Sequence, residues 1–194
     1  QSAGTPAAPS RKKNTGGKGN APGFDLRTAM YRLLGVDLTA IPGLDAYTAA
    51  KLIGEIGADM SAWPTSHHFA SWLGLCPNTR ISGGRRLSGR TKPCANRAAH
   101  MLRVAAQTLY RSKNALGAFY RGIRAKQGPA VANTATAHKL ARLVHALIRT
   151  RQPYKDEGED GYLRRCRERI LRSLKRKARD LGYALTEIPA HATS

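Results

Sequence analysis

Residues 38–57 read LTAIPGLDAYTAAKLIGEIG. Pro42-Gly43 breaks the chain, and Asp45 then stands where a helix N-cap belongs. Ala49, Leu52, Ile53 and Ile56 follow at i, i+3, i+4 and i+7, one face of a helix. Gly57 supplies a C-terminal stop. Just upstream, FDLRTAMYRLLGVDL (24–38) sets Leu26, Met30, Leu33 and Leu34 at helical spacing. The fold class expected from this stretch is mostly α, begun by two short amphipathic helices around a tight turn.

The same periodicity continues downstream. Thr65 caps a short helix through Phe69, Trp72 and Leu73, which Pro77 is expected to end. CANRAAHMLRVAAQTLYRS (94–112) carries an apolar stripe of Leu102, Ala105, Ala106 and Leu109. VANTATAHKLARLVHALIRT (131–150) sets Leu140, Leu143, Val144 and Leu147 on one side and His138, Arg142, His145 and Arg149 on the other. A basic helix over 161–182 carries Leu163, Ile170, Leu174 and Leu181. No run of strand alternation stands out. Trp63, Phe69 and Trp72 are read as core.

The 38–57 stretch resembles a helix-hairpin-helix, in which a turn presents backbone N–H groups to a phosphate. Gly43-Leu44 is followed here by Asp45, whose charge opposes phosphate. A packed αα-hairpin without ligand is the other reading.

Between Asp59 and Asp156 the chain has no acid across 96 residues, yet that window holds 17 Lys/Arg and five of the six His. The net charge of +21 is therefore concentrated. An acid-free stretch of this length is the footprint of a polyanion partner, nucleic acid above all. Inside the window lies NTRISGGRRLSGRTKPC (78–94), with no helical period. It reads as an irregular Gly/Ser/Arg loop between helices, or a short hairpin. Gly83 and Gly84 remove side-chain bulk beside Ser82, while Arg80, Arg85, Arg86, Arg90 and Lys92 bring cations suited to phosphate oxygens. Arg97 and Arg103 extend the cationic set into the next helix. The loop suits phosphate binding, or serine attack at phosphorus with Ser82 or Ser88 as nucleophile.

Other classes are excluded. No apolar run is long enough for a transmembrane helix, and residues 1–20 are polar rather than a secretory signal. Cys76, Cys94 and Cys166 form no CxxC pair, so their spacing indicates neither a disulfide framework nor a zinc cage, and the histidines show no ligand spacing. The expected site set contains no metal ligand. A two-metal nuclease centre needs carboxylates that the acid-free window lacks. The acids DEGED (156–160) read as a solvated loop or a helix N-terminus. A reducing, cytoplasmic compartment is expected. The chain begins at Gln1 rather than Met and reads as part of something longer.

AIPGLDAYTAAKLIGEIG, then FASWLGLCPNTRISGGRRLSGRTK (69–92), then an Arg/Ala/Leu helix, together resemble the C-terminal transposase domain of the bridge-RNA-guided insertion-sequence recombinases, the group named for insertion sequence one-hundred-ten. The resemblance spans roughly residues 24–150. It implies a serine nucleophile, falling here on Ser82-Gly83, with Ser88 as alternate. It implies a composite site completed by an N-terminal RNase H-like domain holding Mg²⁺, in a dimer or tetramer. Donor and target DNA and a noncoding guide RNA are the implied partners, and the bacterial nucleoid the implied location. No cofactor is expected in this chain. Residues 1–23 are expected to be a flexible basic linker, 24–155 the transposase C-terminal domain, and 156–194 a basic helix and tail. The alternative function is a non-catalytic helical module that positions DNA or guide RNA.

Overall fold

The computed structural model describes residues 24–91 and 93–186, so the expected linker over 1–23 and the last residues of the tail lie outside it. Helix α1 (Leu26–Leu34) is followed by a 3-10 turn (Leu38–Ala40), α2 (Ala46–Ile56) and α3 (Ser66–Trp72). A hairpin of β1 (Arg80–Ser82) and β2 (Arg85–Ser88) interrupts the helices. Then come α4 (Arg97–Thr108), a 3-10 turn (Leu109–Arg111), α5 (Ala115–Gln127), α6 (Pro129–Thr150) and α7 (Gly158–Asp180). The protein is mostly helical, as its periodicity demands.

Local chemistry explains the boundaries. The side chains of Asp25, Asp45, Thr65, Asn96 and Asn114 each accept from a backbone N–H in the first turn of α1, α2, α3, α4 and α5. Gly57 ends α2 as its position predicts. Helix α3 stops at Trp72, five residues before Pro77: Gly74 takes φ +66° and Leu75 N bonds Ala70 O, closing the last turn without proline. Helix α5 shows no clean apolar period, because glycines and cations interrupt its apolar residues. Its bounds were nonetheless marked, by the Asn114 cap and by Gly128-Pro129, where Pro129 opens α6.

Helix α6 is the spine, packed against α3, α4 and α5. Ala98, Ala99 and Ala106 of α4 and Ala137 and Ala141 of α6 are fully buried. Their small side chains let helices approach closely, while Leu102, Leu109, Leu140 and Val144 fill the space between. Each such leucine contributes on the order of 2 kcal/mol by leaving water. Phe69 is also fully buried and stacks edge-on with Trp63, whereas Trp72 is 45% exposed and only borders the core. Leu33, expected on the inner face of α1, is exposed.

The supposed outer side of α6 is the seat of α3. His145 is buried, with Nε2 2.9 Å from Trp63 O. Arg149 donates to Trp63 O and Pro64 O, and Arg142 to Ser66 Oγ at 3.4 Å. These groups satisfy the Trp63 and Pro64 carbonyls and hold the Ser66 hydroxyl at the entry to α3, a structural role that periodicity alone could not separate from a solvated face.

Asp37 ties α1 to the following turn. It accepts from Arg27 at 2.5 Å and from Thr39 N and Oγ1 at 2.9 and 2.7 Å. Burial opposes its ionisation, but the bonds from Arg27 and Thr39 outweigh that and hold its carboxyl below the usual value. Its folded pKa is therefore the lower one, so its stabilisation is complete above the unfolded pKa and is lost as pH falls through the folded pKa. Asp37→Asn is expected to cost about 1–3 kcal/mol at neutral pH. The thermal midpoint of the variant should also lose part of the wild-type decline below about pH 4. Midpoints followed across that range check both.

Candidate nucleic-acid interface and serine hairpin

Of the two forms left open for the Ser82 segment, the structure takes the short hairpin. Ser82 pairs with Arg85, Ile81 with Arg86 and Arg80 with Ser88, so the ladder skips Leu87 in a bulge. Gly83 and Gly84 form the two-residue turn at φ +53° and +74°. Two consecutive positive φ values define a hairpin turn that glycine satisfies without strain. A Pro77–Thr91 bridge and Asn78 N bonded to Arg90 O close the root. Each strand is only three or four residues long, too short for alternation to stand out in the sequence. Ile81 and Leu87 are 67% and 68% exposed, so the helical body covers neither.

The two serines differ. Ser82 is exposed at the tip, directly across the ladder from exposed Arg85, and its hydroxyl has no partner among the described residues. Ser88 is half-buried and its Oγ accepts from Arg90 N at 3.3 Å, which occupies it in a local turn. Arg90 is exposed at the root. Arg80 and Arg86 are placed by their backbones, and Lys92 lies outside the described residues.

After the hairpin the chain enters α4, where a cleft of about 600 Å³ opens between α4 and α2. Lys51, Arg97, His100 and Arg103 line it, with Glu55 as the one acid among its described lining residues. Glu55 meets Arg97 at 3.4 Å, and Arg97 is 82% exposed, so this pair contributes little to stability. Two expected anion-binding residues, Arg97 and Arg103, thus share one concave surface. Lys51 and His100 join them from positions no spacing rule had connected.

The phosphate-binding version of the first helical pair has no support from the geometry. Asp45 accepts from Thr48 N at 2.7 Å, placing its own carboxylate at the N-terminus of α2. Gly43, at φ +90°, faces α4 instead: a Cβ there would meet Ala105 O at 3.0 Å. Helix α1 packs on α2.

The acids at 156–160 serve the entry to α7. Asp156 accepts from Ala115 N and Gly158 N, Glu157 pairs with Arg165, and Glu159 pairs with Arg121 at 2.6 Å. They are committed to ion pairs and caps, in keeping with the reading of this cluster as a helix N-terminus. One further cluster was invisible in the spacing: His67, Cys76 and His138 bring their ligand atoms within 4.8 Å of one another.

Comparison with known proteins finds a transposase family over the segment that holds the exposed hairpin and the start of the basic helical surface. Residues 37–121, a little under half of the chain, match the family described as "Transposase IS116/IS110/IS902 family", which is consistent with the resemblance carried by the sequence. The chain is also 46% identical over 46 residues to the "Insertion element IS110 uncharacterized 43.6 kDa protein" of Streptomyces coelicolor. That match covers 24% of this chain and 11% of the relative. No solved structure matches. Among the described residues no helix is long and apolar enough to cross a membrane.

Proposed function

We propose that this chain is the serine-bearing part of a DNA transposase that cleaves and rejoins strands through a covalent serine–DNA bond. The observation that carries the reading is Ser82: exposed, free of hydrogen bonds among the described residues, and opposite Arg85 at the tip of an uncovered hairpin inside the family-matched segment.

In the proposed step, Ser82 Oγ attacks phosphorus of a phosphodiester. The bond to one deoxyribose oxygen breaks and that oxygen leaves with a proton. The serine proton passes to a base outside this chain. Arg85 and Arg90 neutralise the charge that grows on the phosphoryl oxygens. The new phosphoserine ester replaces one phosphodiester bond, so attack by a DNA hydroxyl reverses the step without ATP. Residues of the N-terminal RNase H-like domain implied by the family resemblance supply the base and hold Mg²⁺, in a homo-oligomer. Guide RNA pairing, rather than protein side chains, selects donor and target DNA.

The cleft at the start of α4 tracks the DNA or RNA backbone next to the hairpin. Arg85→Gln, Arg90→Gln and Arg103→Gln are each expected to weaken binding of the complete protein evenly across sequences. Each should also reduce the slope of log affinity against log salt by about 1. Binding isotherms at several salt concentrations test this. An unchanged slope in all three variants assigns the interface elsewhere.

A further inference from the structure

His67 stands in the first turn of α3, Cys76 in the chain leaving α3, and His138 in the middle of α6. The three come from separate pieces of the fold, yet one nitrogen, one sulfur and one nitrogen converge within 4.8 Å. Cys76 Sγ is 3.9 Å from His67 Nδ1. Tetrahedral coordination with zinc–nitrogen and zinc–sulfur bonds of usual length needs ligand atoms about 3.3–3.6 Å apart, within a small side-chain adjustment of this arrangement.

We propose that His67, Cys76 and His138 bind a borderline-soft divalent cation of the zinc class, which fastens the root of the Ser82 hairpin to α6. A thiolate with two imidazoles suits zinc or cobalt and is a poor site for Mg²⁺ or Ca²⁺. His67 is exposed while the other two are half-buried, which leaves one coordination position open to solvent. Burial holds the His138 imidazole below its usual pKa, helped by Arg142 and His67, so it is neutral and able to ligate at neutral pH. Burial raises the Cys76 thiol, with Arg142 pulling the other way. The free thiol keeps its proton, and the cation releases that proton on binding.

The position gives the site a purpose. Cys76 immediately precedes Pro77, half of the bridge that closes the hairpin. A cation held there joins α3, α6 and the hairpin root at one point. This rests on the cluster alone and stands whether or not Ser82 is a nucleophile.

The test uses the 194-residue chain stripped with a chelator and titrated with Co²⁺, then with Zn²⁺. One equivalent of Co²⁺ is expected to give thiolate-to-metal charge-transfer absorption and tetrahedral visible bands, both displaced by Zn²⁺. The thermal midpoint should rise by about 5–10 °C when free Zn²⁺ is a hundredfold above Kd. Cys76→Ser and His138→Ala should weaken binding by at least about 100-fold. Cys94→Ser and Cys166→Ser should leave it unchanged, with circular dichroism confirming the helical fold in each. Absence of the thiolate band in the wild-type chain overturns the proposal. So does binding that follows Cys94 or Cys166 instead of Cys76.

Discussion

Ser82→Ala in the complete protein is expected to abolish strand exchange and covalent attachment to DNA while leaving DNA and RNA binding intact. A hydroxyl nucleophile has no substitute once the oxygen is gone, and losing one typically costs on the order of 10⁴-fold or more in rate. Binding should survive because the cations stay in place and Ser82 makes no hydrogen bond among the described residues. The backbone should survive as well, since the turn depends on Gly83 and Gly84 at positive φ and not on the serine. Ser88→Ala removes the bond from Arg90 N to Ser88 Oγ at 3.3 Å, and its expected effect is a modest loosening of the root. Strand exchange assays on the two variants, beside binding measurements, distinguish the roles. Full exchange by Ser82→Ala contradicts the assignment.

The largest expected effect on stability lies far from that chemistry, at Gly117 in α5. A Cβ at this position would sit 2.0 Å from Ser112 O and 2.9 Å from Leu109 O, both backbone atoms. No rotamer change relieves such a clash, because an alanine Cβ has none. The turn at Leu109–Arg111 must move away from α5. That movement disturbs the bonds Arg121 makes to Tyr110 O and Ser112 O at 3.0 and 2.9 Å. It also strains the Asn114 cap, whose side chain accepts from Gly117 N at 2.8 Å. Gly117→Ala is therefore expected to cost about 3 kcal/mol, the upper end for overpacking. A chain of this size should then melt about 6–12 °C lower. Gly122 on the same helix is the control. Nothing lies within 4 Å of its Cβ position, so Gly122→Ala should be neutral or stabilise by up to about 1 kcal/mol through helix propensity. Equal midpoints for the two variants would refute the close-packing argument.

What the sequence made legible follows from how local each signal is. Capping residues and apolar stripes act within one or two turns, so α2, α4 and α6 could be read directly from Asp45, from Leu102 with Ala105, and from Leu140 with Val144. Helix α5 escaped because its packing needs small residues, Gly117 foremost, which dilute the apolar period. The partners of His145 and Arg149 are not legible along the chain, because a polar side chain at helical spacing looks the same whether it meets solvent or a neighbour's carbonyl. Only the packing of α3 decides that. The hairpin was one of two readings of its segment; its strands are too short for alternation to favour it over a loop, although Gly83-Gly84 between Ser82 and Arg85 is itself a turn signal. The stripe of Leu163, Ile170 and Leu174 was legible, but α7 buries none of these residues, so amphipathic pattern alone does not reveal what a helix packs against. The cluster of His67, Cys76 and His138 depends on tertiary folding and has no signature along the chain.

The most direct test of a serine–DNA intermediate is to trap it. The complete protein, the proposed guide RNA and donor and target DNA are incubated, denatured in SDS, digested and analysed for DNA-linked peptides. The account predicts a denaturant-resistant adduct whose modified residue is Ser82, absent in Ser82→Ala. An adduct that maps to any other residue, or active strand exchange that passes through no adduct, contradicts it.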